Sequence, residues 1–253
     1  LLLNTAYSIK GFGASFTAKS IDNMSFRSDR GAGVTDLMIN YLPSTSKQHT
    51  YNLPATLYPY AVQPNGEVAF QGDISYKVKK KSKLGGKYGM DVSVNWSGAW
   101  GLDSTAISDS SRLGYSTKLF SPGKDLYFSD LNVEIKKKIN KKIKLIYTYY
   151  NIRFNNDVIL GKTNTGIINS NIHVLDVLYK IKKKHSIRIE AQHLSVNKKN
   201  GYYEDQGNWA TALVEYTISP KWVFSVLDQY NYGNKEEAKK IHYFLGTVGY
   251  INK

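Results

Sequence analysis

The chain has 253 residues, a formal net charge of +14 and no cysteine, which excludes disulfides and thiolate metal centres. Hydrophobic residues make up 42% of it, yet no apolar run approaches the roughly 20 residues of a membrane helix. The length fits one large β domain or two small ones, and tyrosine is abundant, with 20 copies.

In chain order, the dominant signal is alternation with a period of two. Strands are expected over 1–9 and 14–21, and because Leu1 opens inside the first, part of the polypeptide is expected upstream. The longest loop, 21–65, follows. Its stretch "INYLPSTSKQHTYNLPATLYPY" sets Pro43, Pro54 and Pro59 among aromatics. Fixed φ at the prolines limits its disorder, and a loop of this length is usually functional or disordered. It is suited to plugging a barrel, capping it or meeting a partner; a passive surface loop is the alternative.

The next strands are expected over 66–78, 86–97 and 124–136. In the first, Val68, Phe70, Ile74, Tyr76 and Val78 oppose Glu67, Gln71, Asp73, Ser75 and Lys77. In the second, Tyr88, Met90, Val92, Val94 and Trp96 oppose Lys87, Gly89, Asp91, Ser93 and Asn95. Six more are expected over 142–154, 169–181, 185–196, 208–218, 221–231 and 240–250. The 142–154 segment is the least regular, because Ile143 and Ile146 face opposite ways.

That makes about eleven strands. Many are longer than the usual ~5–6 residues of soluble sheets and match the ~9–11 tilted residues that cross a bilayer. Connections alternate. Residues 10–13, three lysine-rich turns and Ser219-Pro220 are short; 21–65, 97–123, 155–168, 197–207 and 231–240 are long. An up-and-down sheet then carries all its short turns at one end and all its long loops at the other, as transmembrane barrels do. Tyr76, Tyr88, Trp96, Tyr127, Tyr147, Tyr149, Tyr179, Trp209, Trp222 and Tyr230 stand near strand ends, where interfacial rings belong. The expected fold is all-β: an antiparallel up-and-down transmembrane β-barrel, incomplete at its N-terminus, forming one domain over 1–253 with a long loop at 21–65.

The lysines fit this arrangement. Segments 77–87, 136–144 and 180–184 hold six, six and four of them, sixteen of the 34 Lys and Arg. A lysine at the bilayer midplane costs roughly 2–4 kcal/mol, falling to ~0–1 near the interface. Clustering in hydrated turns avoids that cost and sets the ammonium groups where they can meet lipid phosphates.

The strands, the lysine turns and the stretch "YNLPATLYPYAVQPNGEVAFQGDISYKV…KLGGKYG" (51–89) resemble an uncharacterised Bacteroidota family of outer-membrane β-barrels. The resemblance implies location in the cell outer membrane, contact with outer-membrane lipid, and contacts with other envelope proteins through the long loops. It also implies a channel or transport barrel; the alternative is a non-conducting structural or accessory barrel within a multi-protein envelope complex. The chain departs from the pattern in its odd strand count and in the absence of a visible N-terminal signal.

Chemistry-bearing residues are sparse. His49, His173, His185, His193 and His242 are scattered without ligand spacing, and "KLGGKYG" precedes a strand rather than the helix a phosphate loop requires. His193 and Ser195 share a face but lack an assignable acid. No catalytic, cofactor or metal residues are therefore assigned, and no enzyme activity or cofactor is expected. Glu67, Asp73, Asp91, Asp130, Glu134, Arg188, Glu190 and Glu215 fall on polar faces and are expected to line a lumen; in a soluble sheet they would form the solvent face. The net charge alone would admit a nucleic-acid binder. However, the aromatics share the apolar faces instead of flanking a basic groove, so no nucleic acid is expected as a partner.

Overall fold

The computed structural model describes residues 1–33, 36–108, 110, 113–199 and 201–252. Eleven strands form one sheet in strict chain order: β1 (Leu2–Ile9), β2 (Phe12–Asp22), β3 (Gly66–Val78), β4 (Met90–Ala106), β5 (Tyr115–Lys138), β6 (Ile143–Asn155), β7 (Ile167–Lys182), β8 (His185–Val196), β11 (Trp209–Ile218), β12 (Trp222–Tyr230) and β13 (His242–Tyr250). A small hairpin, β9 (Lys198–Lys199) with β10 (Tyr202–Tyr203), lies in the connection after β8. Every neighbouring pair in the main sheet is antiparallel. Among the described residues β1 pairs only with β2 and β13 only with β12, so the sheet keeps two free edges.

The alternation of connections holds, with one correction. The stretch 97–123, expected as a loop, is mostly strand: β4 runs on to Ala106 and β5 begins at Tyr115. This extension pairs irregularly, with register shifts at Ala99/Trp100, Trp100/Leu102 and Leu102/Ser104. A second correction concerns the start of β4. Residues 86–89 belong to the preceding turn, so Tyr88 and Lys87 do not continue the alternation of Met90 to Trp96. Positions 34, 35, 109, 111, 112 and 200, all in expected loops, lie outside the described residues.

Register divides the sheet into two unlike faces. Val92, Val94 and Trp96 share one with Ile74, Val133 and Ile135. Asp91, Ser93 and Asn95 share the other with Asp73, Asn132 and Glu134. The apolar face is the exposed one: Ile74, Leu175, Ile189, Val214, Phe224, Val226, Phe244 and Val248 are all open to the surroundings. Most of its rings gather in two sets. Beside the short turns lie Tyr7 with Phe12, His185 with Tyr216, and Trp222 with Tyr250. Toward the long loops run Phe16–Phe70–Trp100–Trp96 and Tyr230–His242–Phe244, while Tyr147 and Tyr149 gather around His173 in mid-strand.

The buried face holds both the core and most of the polar side chains. Ala69, Ala99, Phe128, Phe154 and Ile168 form one row across β3 to β7. They pack into a cluster with Ile152, Ile172, Val174, Leu194 and Trp209. The same cluster contains Tyr51, Leu53 and Tyr58, which belong to the long segment between β2 and β3.

Candidate functional site

Residues 43–63, in the second half of the long connection, fold back over the buried face and hold their place through short contacts with the wall. At the centre is a six-residue helix, α1 (Asn52–Leu57). Pro54 is tolerated because it occupies the first turn, where backbone N–H groups lack helical partners. One of those orphan donors, Leu53 N, is satisfied from outside the segment by Gln192 Oε1 of β8 at 3.1 Å. Asn52 reaches Gln229 on β12. Leu53 is completely buried, a transfer worth about 2 kcal/mol. Tyr58 packs on Phe154, and Tyr60 stacks on Phe128 with centroids 4.7 Å apart.

Both flanks of α1 converge on Glu67. Lys19 Nζ lies 3.0 Å from Glu67 Oε1, and both side chains are buried. Lys19 also donates to the Pro43 carbonyl at 2.8 Å. On the other side Tyr60 Oη and Gln63 N donate to Glu67 Oε2 at 2.5 and 2.9 Å. Burial and the neighbouring Glu67 carboxylate hold the Tyr60 phenol well above its ordinary pKa. A fully buried carboxylate is tolerable because its charge is paired and its oxygens are engaged.

Two further anchors lie along the segment. His49 Nε2 is 3.1 Å from Asp130 Oδ2, and its ring meets Tyr150 edge-on at 4.9 Å. Lys47 Nζ donates to Asn132 Oδ1 at 3.1 Å. Asn132 passes the chain to Asn95 at 3.1 Å, and Asn95 donates to Asp73 Oδ1 at 2.7 Å. The relay thus ties the segment to β5, β4 and β3 in turn.

Register places all eight candidate residues on the same face of the sheet, but they do not converge on one point. Glu67 and Asp130 touch the segment directly, and Asp73 ends the amide relay. Arg188 forms a second group, donating to Asp176 Oδ2 at 3.0 Å and to Glu190. Glu190 Oε1 accepts from Gln192, the residue that caps α1, at 2.6 Å. Glu134 pairs with Lys136 at 2.7 Å, whereas the exposed Asp91 lies 3.6 Å from Lys77. Glu215 is half-buried beside Arg188.

Lys19, Lys47, Tyr60, Asn132, Asp176 and Gln192 take part without having been singled out, and His49, read only as one of five scattered histidines, joins them. Lys19 and Asp176 had a legible signal, being charges inside expected strands. Lys47 and Tyr60 had none, since a segment without periodicity does not disclose its partners.

The remaining candidates are spent elsewhere. His193 Nε2 lies 2.6 Å from Tyr232 Oη, and Ser195 Oγ donates to the Asn171 carbonyl, so the two do not form a base–nucleophile contact. Among the described residues no three His, Asp or Glu side chains are grouped to hold a metal ion, and no helix is long and apolar enough to cross a membrane.

Comparison with known proteins gives three findings. No curated protein matches the chain. Matching solved structures include a loop L8 deletion mutant of OmpT, an outer membrane protein of Vibrio cholerae, with 11% identity and a TM-score of 0.45. That match covers 99% of this chain and 62% of the OmpT structure, so the chain spans less than two thirds of its length. A NanC porin structure also matches, with 11% identity and a TM-score of 0.36 over 99% of each chain. The profile of a family of unknown function matches residues 1–253 from end to end, and the chain belongs to that family, DUF6029.

Proposed function

We propose that the chain forms wall and plug of an outer-membrane β-barrel that acts as a channel or transport component. The observation that carries this is the inversion of its two faces. Val226, Val248 and Phe244 are 62%, 66% and 74% exposed, while Glu67, Asp130 and Asn132 are 0% exposed. A sheet in water hides its apolar face. One that shows an apolar face across all eleven strands, fringed by rings at both ends, is built for lipid. On this reading Glu67, Asp73, Asp91, Asp130, Glu134, Arg188, Glu190 and Glu215 line the lumen, and residues 43–63 occupy it.

The reading carries a requirement. An unpaired strand edge in hydrocarbon leaves backbone N–H and C=O groups without partners, at several kcal/mol each. The free edges of β1 and β13 must therefore be paired in the membrane.

A second reading, a non-conducting barrel within an envelope assembly, is favoured by how thoroughly the segment is engaged at Glu67, Asp130 and Asn132. Planar-bilayer conductance of the full-length protein separates the two. Residues 1–253 contain no cysteine, so within them a Lys47→Cys, Asn132→Cys pair can be bridged with a short bis-maleimide, and each single cysteine variant serves as the control. A plug that moves gives conductance that bridging abolishes. Tight insertion with no conductance, bridged or not, would rule out the channel and leave the structural barrel.

A further inference from the structure

At the short-turn end, the turns 10–11 and 79–89 and the paired ends of β5 and β6 enclose a cleft of about 910 Å³. It is lined by lysines from separate parts of the chain: Lys10 from the first turn, Lys79 and Lys80 from the second, and Lys138 and Lys144 from the facing ends of β5 and β6. None of these five has a carboxylate within ion-pair distance among the described residues. Their neighbours do have partners: Lys77 faces Asp91, Lys136 faces Glu134, and Lys137 Nζ donates to the Leu84 carbonyl at 3.1 Å. Asp91 is the single acidic residue in the lining.

The cleft also has an apolar wall. Tyr76, Val78 and Met90 line it and belong to the outward face of β3 and β4 by register. Tyr88, displaced from the strand into the turn, holds its ring 5.1 Å beneath the Lys138 ammonium. A concave group of unpaired ammonium ions, continuous with an apolar face, is complementary to a ligand with an anionic head and an apolar body. Lysine presents a compact charge with three rotatable donors, which suits phosphate oxygens.

We propose that this cleft is a binding site for a phosphate-bearing anion, the headgroup of an anionic lipid whose chain lies along Tyr76 and Met90. The lipid part rests on the membrane reading above; recognition of phosphate does not.

Native mass spectrometry of the full-length protein in mild detergent tests it, with phosphatidylglycerol, zwitterionic phosphatidylcholine and inorganic pyrophosphate as probes. One phosphatidylglycerol should be retained in preference to phosphatidylcholine. The triple change Lys80→Gln, Lys138→Gln, Lys144→Gln should weaken retention roughly a hundredfold, about fivefold per lysine. Lys182→Gln, Lys183→Gln, Lys184→Gln removes equal charge from another turn and should leave retention unchanged. Pyrophosphate held as tightly as the lipid, and lost in the same triple, would uphold the phosphate site but assign it to a soluble ligand, whatever becomes of the membrane reading. Equal retention of both lipids, equal losses in the two triples, retention of no probe at all, or tighter binding of an oligonucleotide would each overturn the proposal.

Discussion

A carboxylate with no exposed surface demands partners, and Glu67 finds them in Lys19, Tyr60 and the Gln63 backbone. Lys19→Met removes the cation paired with Glu67 and should cost roughly 3–5 kcal/mol, the usual result of breaking one side of a buried pair. Glu67→Gln keeps an acceptor for Tyr60, so Lys19→Met with Glu67→Gln should cost less than the two single losses added. Unfolding in detergent micelles measures the cycle, and strictly additive losses would refute the coupling. Tyr51 gives a pH prediction. Burial first, then the Asp176 charge, pushes its phenol from 10.0 up to about 12. The neutral phenol is the form the fold holds, so stability is complete below pH 10.0 and falls as pH climbs toward about 12. Ultraviolet titration of Tyr51→Phe should show one phenol fewer ionising at about 12, while Tyr60, which burial also raises, stays neutral to higher pH. Glu67 was readable as an inward charge because it stands at the start of a strand in which Val68 and Phe70 take the opposite face. Its partners were not, because Tyr60 and Gln63 meet it through a segment that obeys no period.

Among the elements, the bounds of β3 and β8 were legible, although in β8 the alternation changes sides after Ala191, where Leu194 and Val196 join the buried face. The 97–123 stretch was not. Gly98, Gly101, Pro122 and Gly123 look like loop punctuation, yet the glycines mark close approach within irregularly paired strands. A Cβ on Gly123 would lie 2.5 Å from the Leu102 carbonyl oxygen, and one on Gly98 would meet the Trp100 ring. Glycine inside a strand commonly marks such a bulge or close contact. The start of β4 was misplaced for a related reason: Tyr88 extends the apolar pattern but serves the turn, beneath Lys138. Within β4 itself the faces differ sharply. Val92→Arg puts a charge on the outward face and should hinder membrane assembly by roughly 2–4 kcal/mol. Ser93→Arg should cost less, because Glu134 lies within 3.5 Å of Ser93. Heat-modifiable gel mobility of the reconstituted variants ranks the two, and an equal effect would contradict the facial assignment.

For the whole molecule, the up-and-down order of eleven strands followed from strand length and loop alternation, both properties of the chain itself. The occupied buried face was one of several alternatives open to the long loop, because it depends on contacts such as Lys47 with Asn132, 85 residues apart. Together they describe a wall that shows apolar residues outward and shelters charge beneath its own longest connection. The direct test is a pair of spin labels at 92 and 93 in the full-length protein reconstituted into phospholipid vesicles. The label at 92 should be relaxed by oxygen dissolved in lipid, while the label at 93 should respond only to a water-soluble reagent or be shielded from both. Equal access of the water-soluble reagent to both labels would contradict the account and return the sheet to water.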